Sequence, residues 1–389
     1  MNKPRFLIVT QYHLSTAMGG AEEQCWLLSN ELVRRGWDVH YASEMRQGPP
    51  QRTVDGVTLH ALPWRTSPLT TNRRAVRRLM AELKPDVVYN EVFDCYTRDS
   101  MLEAPKGTFR IWASAAEGDG VPAKKLGLIR KDFGTRRTLM HLLRFVYPLW
   151  LAKQGAHAAD LVIAQHAGQQ QLLKHAGIAS VVIHNPQTIP PESEIQSHEG
   201  KPMVLWVGRF KDWKRPGAFV ELAKRCGDVE ADFVMIGGIQ EPKYEEILDN
   251  AVKRLPNFRY DGLVPREKVG GYYGKAHVYV STSQAEGYPN TFIHAMMHGV
   301  PIVSMDVNPD GVVTDLGFGR LAHNAAGMEQ AVRELLADAE KRREIGARAR
   351  AYAVKEFDLI LVVDRIEEEM AKRGVRMPNA ETLRGKTGD

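Results

Sequence analysis

Residues 203–226 read MVLWVGRFKDWKRPGAFVELAKRC, and this stretch decides the fold class. The apolar run Met203–Val207 is typical of a buried strand, a glycine follows it, and Gly217–Cys226 has the apolar spacing of a helix. The same order of strand, loop and helix recurs along the chain on both sides of this stretch. Strands that alternate with helices predict an α/β fold with doubly wound parallel sheets.

The pattern occurs in two halves of similar size. In the first half, a helix over Ala21–Arg35 accompanies strands predicted at Phe6–Val9, Val39–Ala42, Val57–Leu62, Val87–Tyr89, Phe109–Ala113, Leu161–Ala164 and Val181–Ile183. In the second half, Met203–Val207 is followed by strands predicted at Phe233–Ile236, Phe258–Tyr260, Val278–Val280 and Ile302–Ser304. We therefore expect an N-terminal domain over 1–185, an exposed proline-rich linker over 186–202, a C-terminal domain over 203–358 and a flexible tail over 375–389. Ligands of such sheets bind beyond the carboxyl ends of the strands, so we expect a cleft where two sheets face each other.

Composition excludes several classes of protein. The chain has 389 residues, of which 43% are hydrophobic and 25% charged, which is typical of globular domains rather than disordered or fibrous chains. A net charge of +5 is too small to argue for a nucleic-acid partner. The three cysteines lie far apart in sequence, which fits a reducing cytosol. The apolar run Phe145–Ala152 is far shorter than the roughly 20 residues that span a bilayer.

Common catalytic motifs do not occur in the sequence. It contains no phosphate-binding P-loop, no Gly-x-Gly-x-x-Gly after the first strand, no Gly-x-Ser-x-Gly and no His-Glu-x-x-His. It also lacks Asp-x-Asp, so a metal held on a diphosphate has no obvious ligands. Four loop segments at strand ends or helix starts remain as candidates: Met18–Ala21, Leu205–Pro216, Tyr260–Pro265 and Ser281–Met296.

Each candidate segment has a functional and an ordinary interpretation. Gly19 and Gly20 precede a helix whose free N–H groups favour an anion, although such a turn is also ordinary. Arg209 and Lys214 follow a strand and suit a diphosphate, whereas most lone cations are solvated surface groups. Glu286 suits sugar hydroxyls, or it caps the next helix. The loop of Leu263 and Val264 could present its backbone to a nucleobase, or it is a simple turn.

Taken together, these segments resemble the retaining family-4 glycosyltransferases of the GT-B fold, in which two Rossmann-like domains face each other across a cleft. The similarity runs from Phe6 to about Met370 and is strongest between Leu205 and Gly311. It is carried by Gly-Arg-Phe at 208–210 with a lysine five residues after the arginine, Glu-Gly-Tyr-Pro-Asn at 286–290 and Gly-Val-Pro-Ile-Val at 299–303. A helix near 359–374 resembles the one that crosses back to the N-terminal domain in this fold.

The resemblance implies an enzyme that moves a sugar (a hexose in many members) from a nucleoside-diphosphate sugar to a hydroxyl group, with retention and without a metal or other cofactor. Polysaccharide or glycolipid biosynthesis is the implied setting. Arg209 and Lys214 would bind the donor diphosphate, Gly20 would donate an N–H from the opposite domain, and Glu286 would hold sugar hydroxyls. The loop at Leu263 and Val264 would contact the base. The residues implied to contact the sugar and phosphate are Gly287, Tyr288, Pro289 and Asn290.

The chain departs from the family pattern at two places. The family usually has a second glutamate eight residues after the first, where this chain has His294, which either binds the ribose or packs on its helix. The family often has a histidine after an N-domain strand, where this chain has none; Glu117 and Asp119 are the candidates there for contacting the acceptor.

Residues 124–153 mix basic and apolar side chains, and Arg73, Arg74, Arg77 and Arg78 form a second basic run. The segment predicts either contact with an anionic membrane surface, which would place the protein at the inner face of the membrane, or a buried helix with a basic rim. The expected location is the cytoplasm. Two other functions stay open, a sugar-nucleotide epimerase on the same fold and a non-catalytic sugar-nucleotide-binding protein.

Overall fold

The chain divides into two compact units in a computed structural model. Unit 1 comprises Met1–Thr188 with Asp358–Asp389, and unit 2 comprises Ile189–Phe357. The structure describes residues 3–13, 19–46, 49–65, 71–116, 118–121, 138–192, 195 and 200–378, with the backbone alone over 138–145. The boundary between the units follows Thr188, inside the predicted linker. The helix predicted near 359–374 belongs to unit 1.

Unit 1 contains a sheet of eight strands within the described residues, in the order β3-β4-β2-β1-β5-β6-β7-β8. The strands are β1 Arg5–Val9, β2 Asp38–Glu44, β3 Gln51–Val54, β4 Val57–Leu62, β5 Val87–Glu91, β6 Phe109–Ala113, β7 Leu161–Ala164 and β8 Val181–Val182. All neighbours pair in parallel except β3, which runs antiparallel to β4 at the edge. The strand order reverses between β1 and β5, which is where doubly wound sheets bind ligands.

Helices cover both faces of this sheet. They are α1 Gly20–Arg34, α2 Arg73–Leu83, α3 Cys95–Leu102, α4 Thr138–Ala158, α5 Ala167–His175 and, after unit 2 in the chain, α12 Leu359–Lys372. Phe6 and Ile8 of β1 pack in one core with residues of α1 and α12. Leu7 and Val9 pack in another with residues of α2 and α3. Side chains of a strand alternate between the faces, so a strand buried on both sides is apolar throughout.

Unit 2 repeats this architecture with a parallel sheet in the order β11-β10-β9-β12-β13-β14 over the described residues. Its strands are β9 Met203–Val207, β10 Asp232–Ile236, β11 Phe258–Tyr260, β12 Val278–Ser281, β13 Ile302–Ser304 and β14 Gly319–Leu321. Its helices are α6 Pro216–Arg225, α7 Lys243–Arg254, α8 Arg266–Lys275, α9 Asn290–Met297, α10 Ala325–Ala337 and α11 Ala339–Phe357. Val204 and Trp206 face one core, whereas Met203 and Leu205 face the other.

The structure corrects the sequence-based expectations at the ends of these units. The edge strand β3 was not predicted because its side chains are mostly exposed and lack an apolar alternation. Val375 and Met377, placed in a flexible tail, pack against the core of unit 1 because both side chains are apolar. Residues 379–389 of that tail lie outside the described residues. In the part of the chain that the structure describes, no helix has the length and apolarity needed to traverse a bilayer.

Candidate active site

Two loops of unit 2 leave the same edge of its sheet. The strands β9 and β12 are parallel neighbours, so the loop that follows Val207 and the loop that follows Ser281 both emerge at their carboxyl ends. The structure joins these loops through two of the predicted residues, because the Lys214 ammonium donates a hydrogen bond to the Glu286 carboxylate. Their side chains are 15% and 14% exposed, so the ion pair is largely shielded yet open on one side. Two residues that lie 72 positions apart thus form one polar centre.

Further hydrogen bonds fix the two loops to each other. The Trp206 indole donates to the Thr282 hydroxyl at 2.9 Å, and that hydroxyl donates to the Lys214 carbonyl at 2.6 Å. The Gln284 N–H donates to the Trp213 carbonyl at 2.9 Å. Because the backbone on both sides of Lys214 is held, its ammonium has a defined position, which favours preorganised charge stabilisation.

Arg215 is a functional candidate that sequence reasoning missed. Its guanidinium donates to the Thr282 carbonyl at 2.6 Å and to the Ser283 carbonyl at 3.1 Å, and it pairs with the Asp306 carboxylate. Its φ is +46°, a left-handed conformation that costs energy for a side chain other than glycine. The side-chain bonds hold this conformation, and Pro216 starts α6 directly after it. No sequence signal separates Arg215 from the neighbouring basic residues.

Asp212 fixes the other end of the short 3₁₀ turn Asp212–Lys214. Its carboxylate accepts hydrogen bonds from the Lys243 ammonium and, at 2.7 Å, from the Tyr244 hydroxyl. The hydrogen bond from Lys243 is the main reason that the pKa of Asp212 lies below its usual value. The Lys214 ammonium also lies 4.4 Å from the centroid of the Trp213 ring. A cation over an aromatic face is stabilised by the ring quadrupole.

Arg209 differs from its basic neighbours because it is exposed and makes no hydrogen bond or ion pair with any residue that the structure describes. Its backbone is nevertheless held: the Phe210 N–H donates to the Gly238 carbonyl at 3.0 Å. At the same edge, Gly237 has φ +138°, and a Cβ there would lie 1.8 Å from the Gly208 carbonyl oxygen. Only glycine permits this approach of the β9 and β10 ends.

The loop predicted to contact the donor sugar presents backbone rather than side chains. Gly287, Tyr288 and Pro289 are buried, and the Tyr288 ring packs 4.9 Å from that of Phe357 in the core of unit 2. The tyrosine side chain is therefore directed into the protein. Pro289 has no N–H, and α9 begins at Asn290.

His294 lies on α9 and stacks on the ring of Tyr273, with 5.4 Å between centroids and 20° between planes. Burial, together with the smaller effects of the neighbouring His298 and Arg266, lowers the pKa of His294 to about 3. The ring is thus neutral at physiological pH. Titration of His294 would therefore not make ribose binding depend on pH near neutrality. Its Nδ1 atom is buried and has no hydrogen-bond partner among the described residues. Helix packing explains the ring's position, while a contact with ribose stays a prediction.

The loop after β11 has one exposed and one partly buried side chain. Leu263 is 66% exposed, whereas Val264 packs against the core of unit 2. The Gly237 N–H donates to the Gly262 carbonyl at 2.8 Å, which ties this loop to the end of β10. The contact of Leu263 and Val264 with a base stays a prediction.

The candidates in unit 1 have more local roles. Gly19 precedes α1 in an extended conformation, and a Cβ there would lie 2.2 Å from a carboxylate oxygen of Glu22, which occupies the space beside the helix start. The N–H that Gly20 would donate to the donor therefore stays a prediction. Asp119 is 1% exposed and accepts hydrogen bonds from the N–H groups of Ala115 and Ala116 at 3.0 and 2.9 Å. Its carboxylate thus binds the backbone of its own loop, and its contact with an acceptor stays a prediction. Glu117 lies outside the described residues.

The basic and apolar segment 124–153 is described in part. Residues 122–137 lie outside the described residues, and side chains are described from Val146 onward. Val146, Tyr147 and Trp150 of α4 are 40%, 46% and 54% exposed, while Leu149 is buried. This end of α4 therefore has both a buried face and an exposed aromatic face.

Comparison with known proteins places this geometry in a family. A family model described as glycosyl transferases group 1 matches residues 201–338, and one described as Glycosyltransferase Family 4 matches residues 18–98. An uncharacterized glycosyltransferase of Haemophilus influenzae is 31% identical over 296 residues, which cover 75% of this chain and 78% of that relative. The chain belongs to the family-4 glycosyltransferases.

This glycosyltransferase is also similar to other proteins and solved structures. The alpha-maltose-1-phosphate synthase of Mycolicibacterium smegmatis is 25% identical over 251 residues, which cover 56% of this chain and 65% of that relative, just under two thirds of its length. Two solved structures share the fold over 95% of this chain and 99% of their own chains. Sucrose-phosphate synthase of Thermosynechococcus elongatus has a TM-score of 0.73 at 16% identity, and HepE of Anabaena, solved with UDP-glucose, has 0.67 at 17%. The glycosyltransferase therefore has the GT-B fold, as predicted.

Proposed function

We propose that this glycosyltransferase transfers a sugar from a nucleoside-diphosphate sugar to a hydroxyl group of a saccharide or lipid-linked acceptor, with retention and without a metal. The observations that carry the proposal are the ion pair of Lys214 and Glu286 and the exposed Arg209, all on loops at the carboxyl edge of the unit 2 sheet. The UDP-glucose bound to the Anabaena structure supports a donor of this class. Polysaccharide or glycolipid synthesis is the proposed setting.

The three side chains suit the two ends of such a donor. Arg209 has a planar fork of N–H donors that no described residue uses and that matches phosphate oxygens, and Lys214 adds a point charge. Glu286 gives part of its acceptor capacity to Lys214, and its remaining lone pairs can accept hydrogen bonds from sugar hydroxyls. Binding of the donor therefore adds partners to the existing ion pair rather than replacing it.

The chemical task is to stabilise negative charge on the departing diphosphate. The held ammonium of Lys214, the guanidinium of Arg209 and the N–H groups at the start of α9 can do this without a metal. In the proposed reaction, the bond from the anomeric carbon to the phosphate oxygen breaks and the acceptor oxygen bonds to that carbon from the same face. The acceptor proton passes to the departing phosphate oxygen. No side chain then needs to act as a general base, and the configuration is retained.

A thermal-shift panel of UDP-, GDP- and ADP-sugars tests donor binding, since a ligand that binds the folded state raises its melting temperature. We expect one class of nucleotide sugar to stabilise the wild type and Arg209→Ala or Lys214→Ala to lose most of that shift. Lys253→Ala and Arg254→Ala, at exposed positions of α7, are the matched controls and should keep it. An unchanged shift in both site variants would contradict the proposal.

Retention and transfer need a product assay. With a panel of p-nitrophenyl glycosides as acceptors, NMR coupling constants should show the anomeric configuration of the donor in the product. Inversion would refute the proposed chemistry. Turnover of the donor to an isomeric nucleotide sugar without any acceptor would instead identify an epimerase.

We also propose that the protein contacts an anionic membrane surface. The exposed Tyr147 and Trp150 of α4 support this, because aromatic rings favour the interface between headgroups and acyl chains.

A further inference from the structure

Three side chains that have no role assigned above meet at the carboxyl edge of the unit 1 sheet. Tyr12 follows β1, Arg46 follows β2 and Trp64 follows β4, and these three strands are parallel neighbours. The guanidinium carbon of Arg46 lies 4.1 Å from the centroid of the Trp64 ring. The rings of Tyr12 and Trp64 lie 5.8 Å apart with 36° between their planes. We call this set the aromatic cluster.

The backbone beneath the aromatic cluster is held at each strand end. The Thr10 hydroxyl donates to the Tyr12 carbonyl at 2.7 Å, and the Asn72 amide donates to the Pro63 carbonyl at 2.8 Å, next to Trp64. The Met45 N–H, next to Arg46, donates to the Leu62 carbonyl at 3.3 Å. The cluster is therefore built on the ends of rigid strands, which is how binding sites keep their geometry.

A buried ion pair supports the cluster from below. The Arg65 guanidinium and backbone N–H both donate to the Glu44 carboxylate, at 2.5 and 3.1 Å, and Glu44 is 1% exposed. The Tyr96 hydroxyl donates to the same carboxylate at 2.9 Å. Because Glu44 and Arg65 compensate each other, this pair does not offset the positive charge of the exposed Arg46.

Arg46 is exposed and makes no hydrogen bond or ion pair with any residue that the structure describes. The contact with the face of the Trp64 ring stabilises the guanidinium without using its N–H groups, none of which bonds to a described residue. A planar fork of N–H donors binds a carboxylate or a phosphate best. The neighbouring aromatic rings suit the apolar C–H face of a sugar ring, because the face of an aromatic ring is its negative side. Glu22 contributes negative charge near the Tyr12 hydroxyl, so the anion belongs at Arg46 rather than at the phenol.

We propose that the aromatic cluster is an acceptor subsite that recognises an anionic sugar, with Arg46 holding its carboxylate or phosphate and Trp64 and Tyr12 contacting its ring. The assignment of this subsite to the acceptor rests on the proposed function, whereas its binding of an anionic sugar does not. Both a uronic acid and a sugar phosphate have the required chemistry.

Ligand-observed NMR titrations of the full-length protein test the subsite with glucose, glucuronic acid, glucose 6-phosphate and inorganic phosphate as probes. We expect at least one of the two charged sugars to bind about tenfold more tightly than glucose, or about 1.4 kcal/mol. Arg46→Ala should abolish that preference. Arg74→Ala, at an exposed arginine of α2, should keep it. Trp64→Ala should weaken the binding of all three sugars, and Trp64→Phe should recover part of the lost affinity.

Each result bears on the proposal. The better of the two charged sugars identifies the anionic group as carboxylate or phosphate. Equal affinity for glucose and both charged sugars, or equal behaviour of the Arg46 and Arg74 variants, would overturn the subsite. Inorganic phosphate that binds as tightly as glucose 6-phosphate would reduce it to an anion site without sugar recognition and would overturn it as well. The nucleotide-sugar thermal shift of the same preparations separates this test from the donor proposal, because Arg46→Ala should leave that shift unchanged.

Discussion

Replacing Glu91 by glutamine should change how the stability of the protein depends on pH. Glu91 ends the central strand β5 of unit 1 and is 2% exposed. One carboxyl oxygen accepts hydrogen bonds from the Tyr89 hydroxyl at 3.1 Å and from the Cys25 thiol at 3.5 Å. The other is buried with no hydrogen-bond partner among the described residues. Burial raises the pKa of Glu91 from 4.5 to about 8.

The sign and size of the effect follow from this shift. The folded state keeps the carboxyl protonated up to about pH 8, whereas the unfolded chain ionises near its ordinary value. The stabilisation that this proton gives is complete below the ordinary pKa, falls as the pH rises, and is lost at about pH 8. One pKa unit corresponds to about 1.4 kcal/mol, so the free energy of unfolding should fall by about 4 kcal/mol from pH 5 to pH 8 through this group.

Equilibrium urea unfolding of wild type and Glu91→Gln at one-unit steps from pH 5 to pH 8 measures this fall. Glutamine keeps the shape and does not titrate, so the variant should gain stability relative to wild type as the pH rises. Glu82→Gln, at an exposed carboxylate of α2, measures the general effect of replacing a carboxylate by an amide. A difference between wild type and Glu91→Gln that stays constant within about 0.5 kcal/mol across this range would refute the reasoning.

Three further changes test other parts of the structure. Arg215→Ala removes the bonds to Thr282 and Ser283, so transfer should fall by about tenfold or more while the far-UV spectrum is unchanged; wild-type turnover would contradict this. Gly237→Ala should lower the melting temperature by several degrees, since its Cβ meets a carbonyl oxygen, whereas Gly271→Ala, with open space around it, should raise it slightly. Trp150→Ser should reduce co-sedimentation with phosphatidylglycerol vesicles because Trp150 is exposed on α4. Equal co-sedimentation of wild type and variant would contradict the membrane proposal.

Most strands could be predicted because each contains a run or an alternation of apolar side chains. β4, β6, β7, β9, β11 and β13 begin and end at the predicted residues. Each buried face of a strand needs apolar side chains, which the sequence shows as a run where both faces are buried and as an alternation where one is. The edge strand Gln51–Val54 has no such requirement, since most of its side chains face solvent.

The sequence predicted individual residues of the candidate site but not the contacts between them. Arg209, Lys214 and Glu286 stand out because cations and a carboxylate follow strands. The contact between Lys214 and Glu286 depends on which strands are neighbours, and the spacing of residues does not contain that information. The buried ring of Tyr288 was missed for the same reason, because the direction of a loop side chain is set by tertiary packing.

The central claim is that Arg209 and Lys214 bind the diphosphate of the donor. Isothermal titration of the nucleoside diphosphate that the thermal-shift panel selects, compared with the corresponding nucleoside, tests it most directly. We predict that wild type prefers the diphosphate by about a hundredfold or more and that each alanine variant reduces this preference by about tenfold or more, which matches charged hydrogen bonds of roughly 1.5–3 kcal/mol. Lys253→Ala should leave it unchanged. A preference that stays at the wild-type value in both Arg209→Ala and Lys214→Ala would contradict the account.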